Sequence, residues 1–216
     1  MKKIMLITQG SQAIQLIREL FSLGYSPSDL LVLTIKEDKN NSFIEFLTYY
    51  NVIKVYVNKE NVNDYISYKN NLDLIISFSN PFILNSRNVN KNLIINFHPG
   101  IIPEYRGSLS TVYSMINGEK YVGGTWHYVN EDVDMGNILK INKVKIKPKD
   151  TAFSLNHKIF SKSISELDEV LSLVKSGHKG EPVVSKGRFY YNKFPDLSGL
   201  DLDLKKRIEY FPPNNI

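Results

Sequence analysis

The sequence predicts an α/β fold with a mostly parallel sheet and helices on both faces, followed by a short aromatic-rich C-terminal extension. Three observations carry this. Short runs of Ile, Leu and Val recur along the first half of the chain. Stretches of helical periodicity separate them. The runs are continuously apolar rather than alternating, which marks strands buried on both faces, as parallel strands are.

In chain order, 4–8 (IMLIT) reads as the first strand and Gln9-Gly10-Ser11 as a turn. Residues 12–20 place Ile14, Leu16, Ile17 and Leu20 on one helical face. Strands are expected at 30–35, 53–57, 73–78 and 93–97, and helices at 42–50 and 62–69. Strands alternating with helices make βαβ units, whose sheets bind ligands beyond the carboxyl ends of the strands. After residue 98 the pattern changes. HPGIIPEYRG carries two prolines and two glycines and reads as a loop. Residues 108–118 read as a helix capped by Ser108 and stopped by Gly118. Strands at 123–129 and 137–146 flank the turn NEDVDMG. Asp150 or Thr151 then starts one long helix reaching Gly177. Residues 182–194 read as an aromatic-rich hairpin or strand pair, and 211–216 as neither helix nor strand. The expected organisation is one domain over 1–180, with 181–216 as an appendage rather than an independent domain.

The 216-residue chain is 42% hydrophobic and 23% charged, a balance that suits a globular protein with a sizeable core. It has no cysteine, so disulfides, thiolate metal sites and a cysteine nucleophile are excluded. No run approaches the roughly 18 apolar residues of a membrane helix. The apolar stretch behind Lys2 and Lys3 is too short for a signal peptide. The expectation is a cytoplasmic protein with no membrane partner. The formal charge is +5, with the lysines scattered. Their densest stretch, KINKVKIKPKD at 140–150, alternates Lys with Val and Ile. That is the period of a half-buried strand, not of a nucleic-acid patch. A positive balance also suits a phosphorylated substrate.

The residues with chemistry lie between 93 and 139. Asn96 and His98 are two apart on a strand and so face the same side. Pro99-Gly100 turns the chain directly after them. An amide and an imidazole converging at a sheet edge can meet a developing oxyanion and exchange a proton. Asp134 lies in a turn that Gly136 helps to make, and a carboxylate near His98 favours the protonated ring. Each residue also has a purely structural reading: Asn96 as a turn cap, His98 as a satisfied turn residue, Asp134 as turn chemistry. Spacing alone does not choose between these.

Five pieces in order carry a resemblance. They are Asn96-Phe97-His98-Pro99-Gly100, Ile102-Pro103-Glu104-Tyr105-Arg106-Gly107, Asn117-Gly118-Glu119, Gly124-Thr125-Trp126-His127, and Asp134-Met135-Gly136-Asn137-Ile138-Leu139. Together they resemble the signature of the 10-formyl-tetrahydrofolate-dependent formyltransferases, strongly over 70–145. The resemblance implies a Rossmann-like catalytic domain, a catalytic Asn96, His98 and Asp134, and 10-formyl-tetrahydrofolate as co-substrate without a metal. His127 is expected to be structural. The resemblance has main-chain groups of the segments 77–83 and 130–134 hold the pterin, which makes Ser77, Phe78, Phe82, Ile83, Asn130 and Val133 the expected folate contacts. Plain core packing is the competing reading for Phe78, Phe82 and Ile83.

The family divides by acceptor. Methionyl-tRNA formyltransferases add a C-terminal barrel, and formyl-folate hydrolases an N-terminal domain. The chain length argues against both, as does Ser108-Leu109-Ser110 where the former carry Ala-Ala-Pro. Glycinamide ribonucleotide formyltransferases remain an alternative, but they usually show His-Pro-Ser where His98-Pro99-Gly100 stands here. Sugar N-formyltransferases acting on nucleotide-linked amino sugars are more similar, the tail Arg207-Ile208-Glu209-Tyr210-Phe211-Pro212-Pro213 included. A second alternative is an inactive folate or nucleotide binding module. Tyr105, Arg106 and Gly107 are expected to contact the acceptor. Gly10 and Ser11, at a helix N-terminus, suit its phosphate. The aromatic segment from Phe189 to Phe194 is expected either to contact the acceptor's base or to form a homodimer contact.

Overall fold

The computed structural model describes residues 3–36, 42–68, 72–84, 94–190 and 193–209. One seven-stranded sheet organises them, in the order β3-β2-β1-β4-β5-β7-β8. Its parallel part comprises β1 (Ile4–Thr8), β2 (Leu30–Thr34), β3 (Ile53–Tyr56), β4 (Leu74–Phe78) and β5 (Ile94–His98). All five residues of β1 and of β4 are buried, as continuous apolar runs require. A two-residue strand, β6 (Arg106–Gly107), lies outside this sheet. β7 (Tyr121–Tyr128) then pairs antiparallel with β5, and β8 (Ile138–Lys145) antiparallel with β7.

The two faces are covered unequally. One face packs on α1 (Gly10–Ser22), α2 (Ser42–Tyr49), α4 (Ser110–Ile116), α5 (Ala152–Ser165) and α6 (Leu167–Lys175). Its centre is an aromatic cluster in which Phe78 stacks on Trp126 at 5.7 Å and meets Phe97 and Phe160 at 5.4 and 5.3 Å. The opposite face carries Met5, Ile7, Leu33 and Ile75 under a single described helix, α3 (Val62–Tyr68), through Val62 and Ile66. Among the described residues, no helix covers that face over the carboxyl ends of β4 and β5, and a cleft opens there.

Four expectations need correction. The helix expected at 108–118 begins at Ser110, and Leu109 precedes it in a left-handed conformation (φ 58°). Ser108 is no cap, because Leu109 occupies the N-cap position and makes no side-chain cap; the Ser108 N–H donates to the Tyr190 carbonyl at 3.0 Å. The single helix expected over 151–177 is two. Thr151 caps the first, its side chain accepting from Ser154 N at 3.1 Å. At Glu166 (φ −98°, ψ 3°) the chain leaves helical geometry, and α6 restarts with Asp168 and Glu169 in its first turn, where the helix dipole favours them.

No hairpin forms at 182–194 among the described residues. Instead β9 (Phe189–Tyr190) pairs parallel with β6. An unexpected helix, α7 (Leu202–Glu209), follows. Asp201 caps it by accepting from Leu204 N at 2.9 Å, and Ile208 is buried in the main core. The extension is thus packed onto the sheet domain at two places. The expectations for 211–216 and for the tail residues 210–213 lie outside the described residues. Among the described residues no helix is long and apolar enough to cross a membrane.

Candidate active site

The site grows from one row across three strands. The register sets Ser77 beside Asn96, and Asn96 opposite His127. The period of two that turns Phe78, Phe97 and Trp126 into the aromatic core turns these three polar residues onto the less covered face. They join as a chain of hydrogen bonds. Asn80 Nδ2 donates to Ser77 Oγ (3.1 Å), Ser77 Oγ donates to Asn96 Oδ1 (2.6 Å), and Asn96 Nδ2 lies 3.1 Å from His127 Nε2.

His98 follows Asn96 on the same face and is 5% exposed. Its Nε2 lies 2.6 Å from the Tyr105 carbonyl oxygen, and its Nδ1 lies 3.5 Å from Asp134 Oδ2. Both ring nitrogens face acceptors, an arrangement fully satisfied only when both carry hydrogen. Gly100 makes room for this seat: a Cβ there would overlap the Tyr105 carbonyl oxygen and His98 Nε2. Thr125 fixes the turn behind, donating to the Gly100 carbonyl (2.8 Å) and accepting from Ile102 N (3.2 Å).

Asp134 comes from the loop between β7 and β8. Its φ of 53° is left-handed, a conformation a non-glycine residue holds at a cost of order 1–3 kcal/mol. Gly136 lets the chain lie flat beyond it, since a Cβ there would overlap the Tyr128 carbonyl. Asn130 braces the same loop, donating to the Met135 carbonyl (3.0 Å) and accepting from Asp132 N (3.1 Å). The carboxylate accepts from Gly107 N at 2.9 Å, and its Oδ1 lies 3.8 Å from His127 Nε2. Burial pushes the Asp134 carboxyl up, but His98, His127, the Gly107 N–H and Arg106 outweigh it and hold the group below its usual range. The site therefore presents an ionised carboxylate, an imidazole between two acceptors, and a primary amide with one N–H turned to a ring.

The cleft beside this row, about 480 Å³ with its open mouth, separates the predicted residues into three groups. Asn96, Asp134, Ser77, Phe82, Ile83, Asn130 and Val133 all line it. His98 stands behind the lining, against Asp134. Phe78 does not line it: its side chain points to the other face and is wholly buried in the aromatic core. Ile83 and Val133 keep 76% and 37% of their surface exposed at the mouth, an apolar rim over a polar floor.

The residues expected to contact the acceptor do not line this cleft. Tyr105 is buried, with its hydroxyl donating to Glu119 Oε1 at 2.7 Å. Burial, together with Glu119, pushes that hydroxyl up to about 12, so it remains a donor. Arg106 reaches the Val133 carbonyl with Nε (3.1 Å) and Nη2 (2.7 Å), and the Lys186 carbonyl with Nη1 (2.8 Å). It ties the extension to the Asp134 loop instead of facing the cleft. Gly107 serves Asp134 through its N–H. Gly10 and Ser11 open α1, where Gln9 at the N-cap makes no side-chain cap, and neither lines the cleft.

Sequence reasoning passed over His127 as structural, and gave Ser77 to folate rather than to Asn96. A signal existed. β7 is buried at every position but its first, and Gly123, Thr125 and His127 recur every second residue on it. Polar residues in register on a buried strand need partners on the next strand.

An amide donor, an imidazole and a carboxylate around one cleft define an acyl-transfer type of site, with a donor for charge on oxygen and a base for a proton. Residues 48–171 match the formyl transferase family, and the chain belongs to it. A GDP-perosamine N-formyltransferase from Brucella melitensis is 26% identical over 98% of this chain and 86% of its own length. In fold, the chain resembles an N-formyltransferase from Helicobacter canadensis solved with folinic acid and dTDP-3-aminofucose, with TM-score 0.76 and 16% identity over 91% of this chain and 73% of that one. It also resembles a phosphoribosylglycinamide formyltransferase from Anaplasma phagocytophilum, with TM-score 0.69 and 21% identity over 89% of this chain and 99% of that one.

Proposed function

We propose that this enzyme transfers a formyl group from 10-formyl-tetrahydrofolate to the primary amine of a nucleotide-linked amino sugar. The observation that carries the transfer chemistry is the convergence of Asn96, His98 and Asp134 at one cleft. The cleft suits a folate as substrate. Ser77, Asn80 and Asn96 give its floor hydrogen-bonding edges, and Ile83 and Val133 give its rim apolar surface for a flat ring. The acceptor class rests on the near full-length similarity to a GDP-perosamine N-formyltransferase.

In this reading the amine forms a C–N bond to the formyl carbon as the bond to the folate nitrogen breaks. Asn96 donates its second amide N–H to the negative charge developing on the formyl oxygen. One such donor is worth roughly 3–4 kcal/mol. His98, held between the Tyr105 carbonyl and Asp134, orients that carboxylate from behind the cleft lining, and the departing folate nitrogen receives its proton back from Asp134. Asp134 takes the proton that the amine loses, and proton transfer by a placed side chain contributes about 10² to 10⁴ in rate.

The test is release of tetrahydrofolate with a panel of dTDP-, UDP- and GDP-linked amino sugars, and with glycinamide ribonucleotide. Turnover with a nucleotide sugar alone supports the reading. Turnover with glycinamide ribonucleotide alone replaces it. A folded chain that binds folate but turns over no acceptor would mark a binding module.

A further inference from the structure

The mechanism above leaves the buried imidazole of His127 without a task. His127 is 2% exposed, stands opposite Asn96 in the sheet, and lies within 4 Å of two residues of the site. We propose that His127 is the positioning residue for Asn96: its unprotonated Nε2 accepts one N–H of the amide, which leaves the second N–H aimed into the cleft. The proposal rests on the formyl-transfer reading and assigns the orientation of its oxyanion donor.

The geometry fixes each step. His127 Nδ1 lies 2.8 Å from the Tyr128 carbonyl oxygen, which can only accept. The proton of the neutral ring therefore sits on Nδ1, and Nε2 is left as an acceptor. That acceptor is 3.1 Å from Asn96 Nδ2. The other end of the amide is fixed independently. Ser77 Oγ lies 2.6 Å from Asn96 Oδ1 and itself accepts from Asn80 Nδ2 at 3.1 Å, so its own hydrogen is free for Asn96. An amide held at both ends cannot exchange its oxygen and nitrogen without breaking two bonds. Its second N–H has no partner among the described residues, and Asn96 lines the cleft.

Protonation of His127 would reverse this. An Nε2–H facing the Asn96 NH₂ sets donor against donor, and the amide relieves it by turning its oxygen to the ring. The cleft then loses its N–H. The titratable groups that face His127 are Asp134 across the site and His98 beyond it, with the Tyr128 carbonyl at the other nitrogen. Burial pushes the ring below its usual range, and it outweighs the pull of Asp134 in the opposite direction. Neutral His127 is thus the form the free enzyme holds at neutral pH.

The experiment has two readouts on the full chain. In ¹⁵N-histidine-labelled protein, the ring nitrogens of His127 are expected to show a neutral Nδ1–H tautomer through the neutral pH range. In kinetics, His127→Phe removes the acceptor, whereas His127→Gln keeps an acceptor oxygen. The Phe variant should lose kcat by about 10² to 10³, the loss typical of one oxyanion donor. KM for either substrate should change by no more than about twofold, and the Gln variant should recover most of kcat. A protonated or Nε2–H ring in the wild type overturns the proposal, as does a folded Phe variant with wild-type kcat. If the wild type transfers formyl to no acceptor, the activity reading fails by itself. The tautomer then still decides the orientation, together with the shift of the Asn96 side-chain NH₂ signal in His127→Gln.

Discussion

The sheet before β5 and the sheet from β5 onward do different work. In the first, three polar side chains are buried: Thr8, Thr34 and Ser77, each on the last two residues of its strand. In the second, four are buried among the described residues: His98, Thr125, His127 and Asn142, with Thr125 and Asn142 in mid-strand. The cause is strand direction. Parallel neighbours all bring their carboxyl ends to one edge, so polar residues gather only at that edge. Where β7 runs back against β5, residues far apart in sequence come face to face along the strands, as Asn96 does with His127 and His98 with Thr125. The parallel part supplies a rigid floor, and the antiparallel junction supplies paired polar groups within the buried sheet.

The largest effect that would test this division is at Asp134. Asp134→Asn keeps the size and the contact with Gly107 N but removes the charge facing both histidines. Tetrahydrofolate release should fall by about 10² to 10⁴, with the melting temperature little changed. A variant that melts much earlier would mean that the junction is primarily a structural element.

Phe78→Ala makes the opposite cut. Phe78 is only one residue from Ser77, but it packs in the aromatic core. A loss of about 3–5 kcal/mol of stability is expected from the cavity. At a temperature where the variant stays folded, KM for the folate should remain near that of the wild type. A selective rise in KM with unchanged stability would restore Phe78 as a folate contact and break the division between the two faces.

Arg106 sharpens the comparison by connecting the extension to the junction. Arg106→Ala removes both hydrogen bonds to the Val133 carbonyl, the tie to Lys186, and a positive charge near Asp134. The sign follows from the carboxyl. Asp134 is held below its usual range in the folded protein, so its ionisation favours folding above the unfolded value of about 3.9. That contribution is lost as pH falls through the lower folded value. Without Arg106 the folded value rises. The acid limb of kcat, and the pH at which stability begins to fall, should both move upward. A pH profile that superimposes on the wild type would show that the extension holds the loop without tuning its charge.

These differences also explain what could be read from the sequence. β1, β2, β4 and β5 are legible within about a residue because burial on both faces leaves an unbroken apolar run, and β3 is legible although it is an edge strand with Ile53 and Tyr56 exposed. Asn96, His98 and Asp134 were legible through the five-piece resemblance, and the structure brings them together. The contact of His127 with Asn96 was not, because it depends on register with β5, which no local pattern encodes. Where the Phe78 side chain goes is hidden for a related reason: the residue belongs to β4 and obeys its alternation, so the side chain packs in the core even though its main chain leads into the loop at 79–84. Tyr105 and Arg106 look like ligand contacts in a polar loop. Their partners, Glu119, Val133 and Lys186, are set by tertiary closure. The join of α5 and α6 was hidden because apolar periodicity continues across Glu166, although Asp168 and Glu169 already mark a new helix start.

The smallest effect tests whether position in the catalytic half is enough to matter for catalysis. Thr151 caps α5, which packs on β7 and β8 on the face away from the cleft. Its hydroxyl accepts from Ser154 N at 3.1 Å, and Ser154 Oγ accepts from Thr151 N at 3.1 Å, closing a reciprocal box. Thr151→Ala removes one of those bonds and should cost about 1 kcal/mol, a fall of roughly 2–4 °C in melting temperature for a chain of this size. The value of kcat should not move. Asp150 beside it keeps its contacts to Lys147 N, Ser154 and Lys158, and its carboxyl stays below the usual range despite the burial that pushes it up. The cap loss should therefore be the whole effect at neutral pH. A kcat loss larger than the stability loss would mean that α5 transmits strain through Trp126, whose indole N–H donates to the Ser163 carbonyl at 3.3 Å, to its neighbour His127. The aromatic face would then be part of the positioning of Asn96 rather than only the floor beneath it.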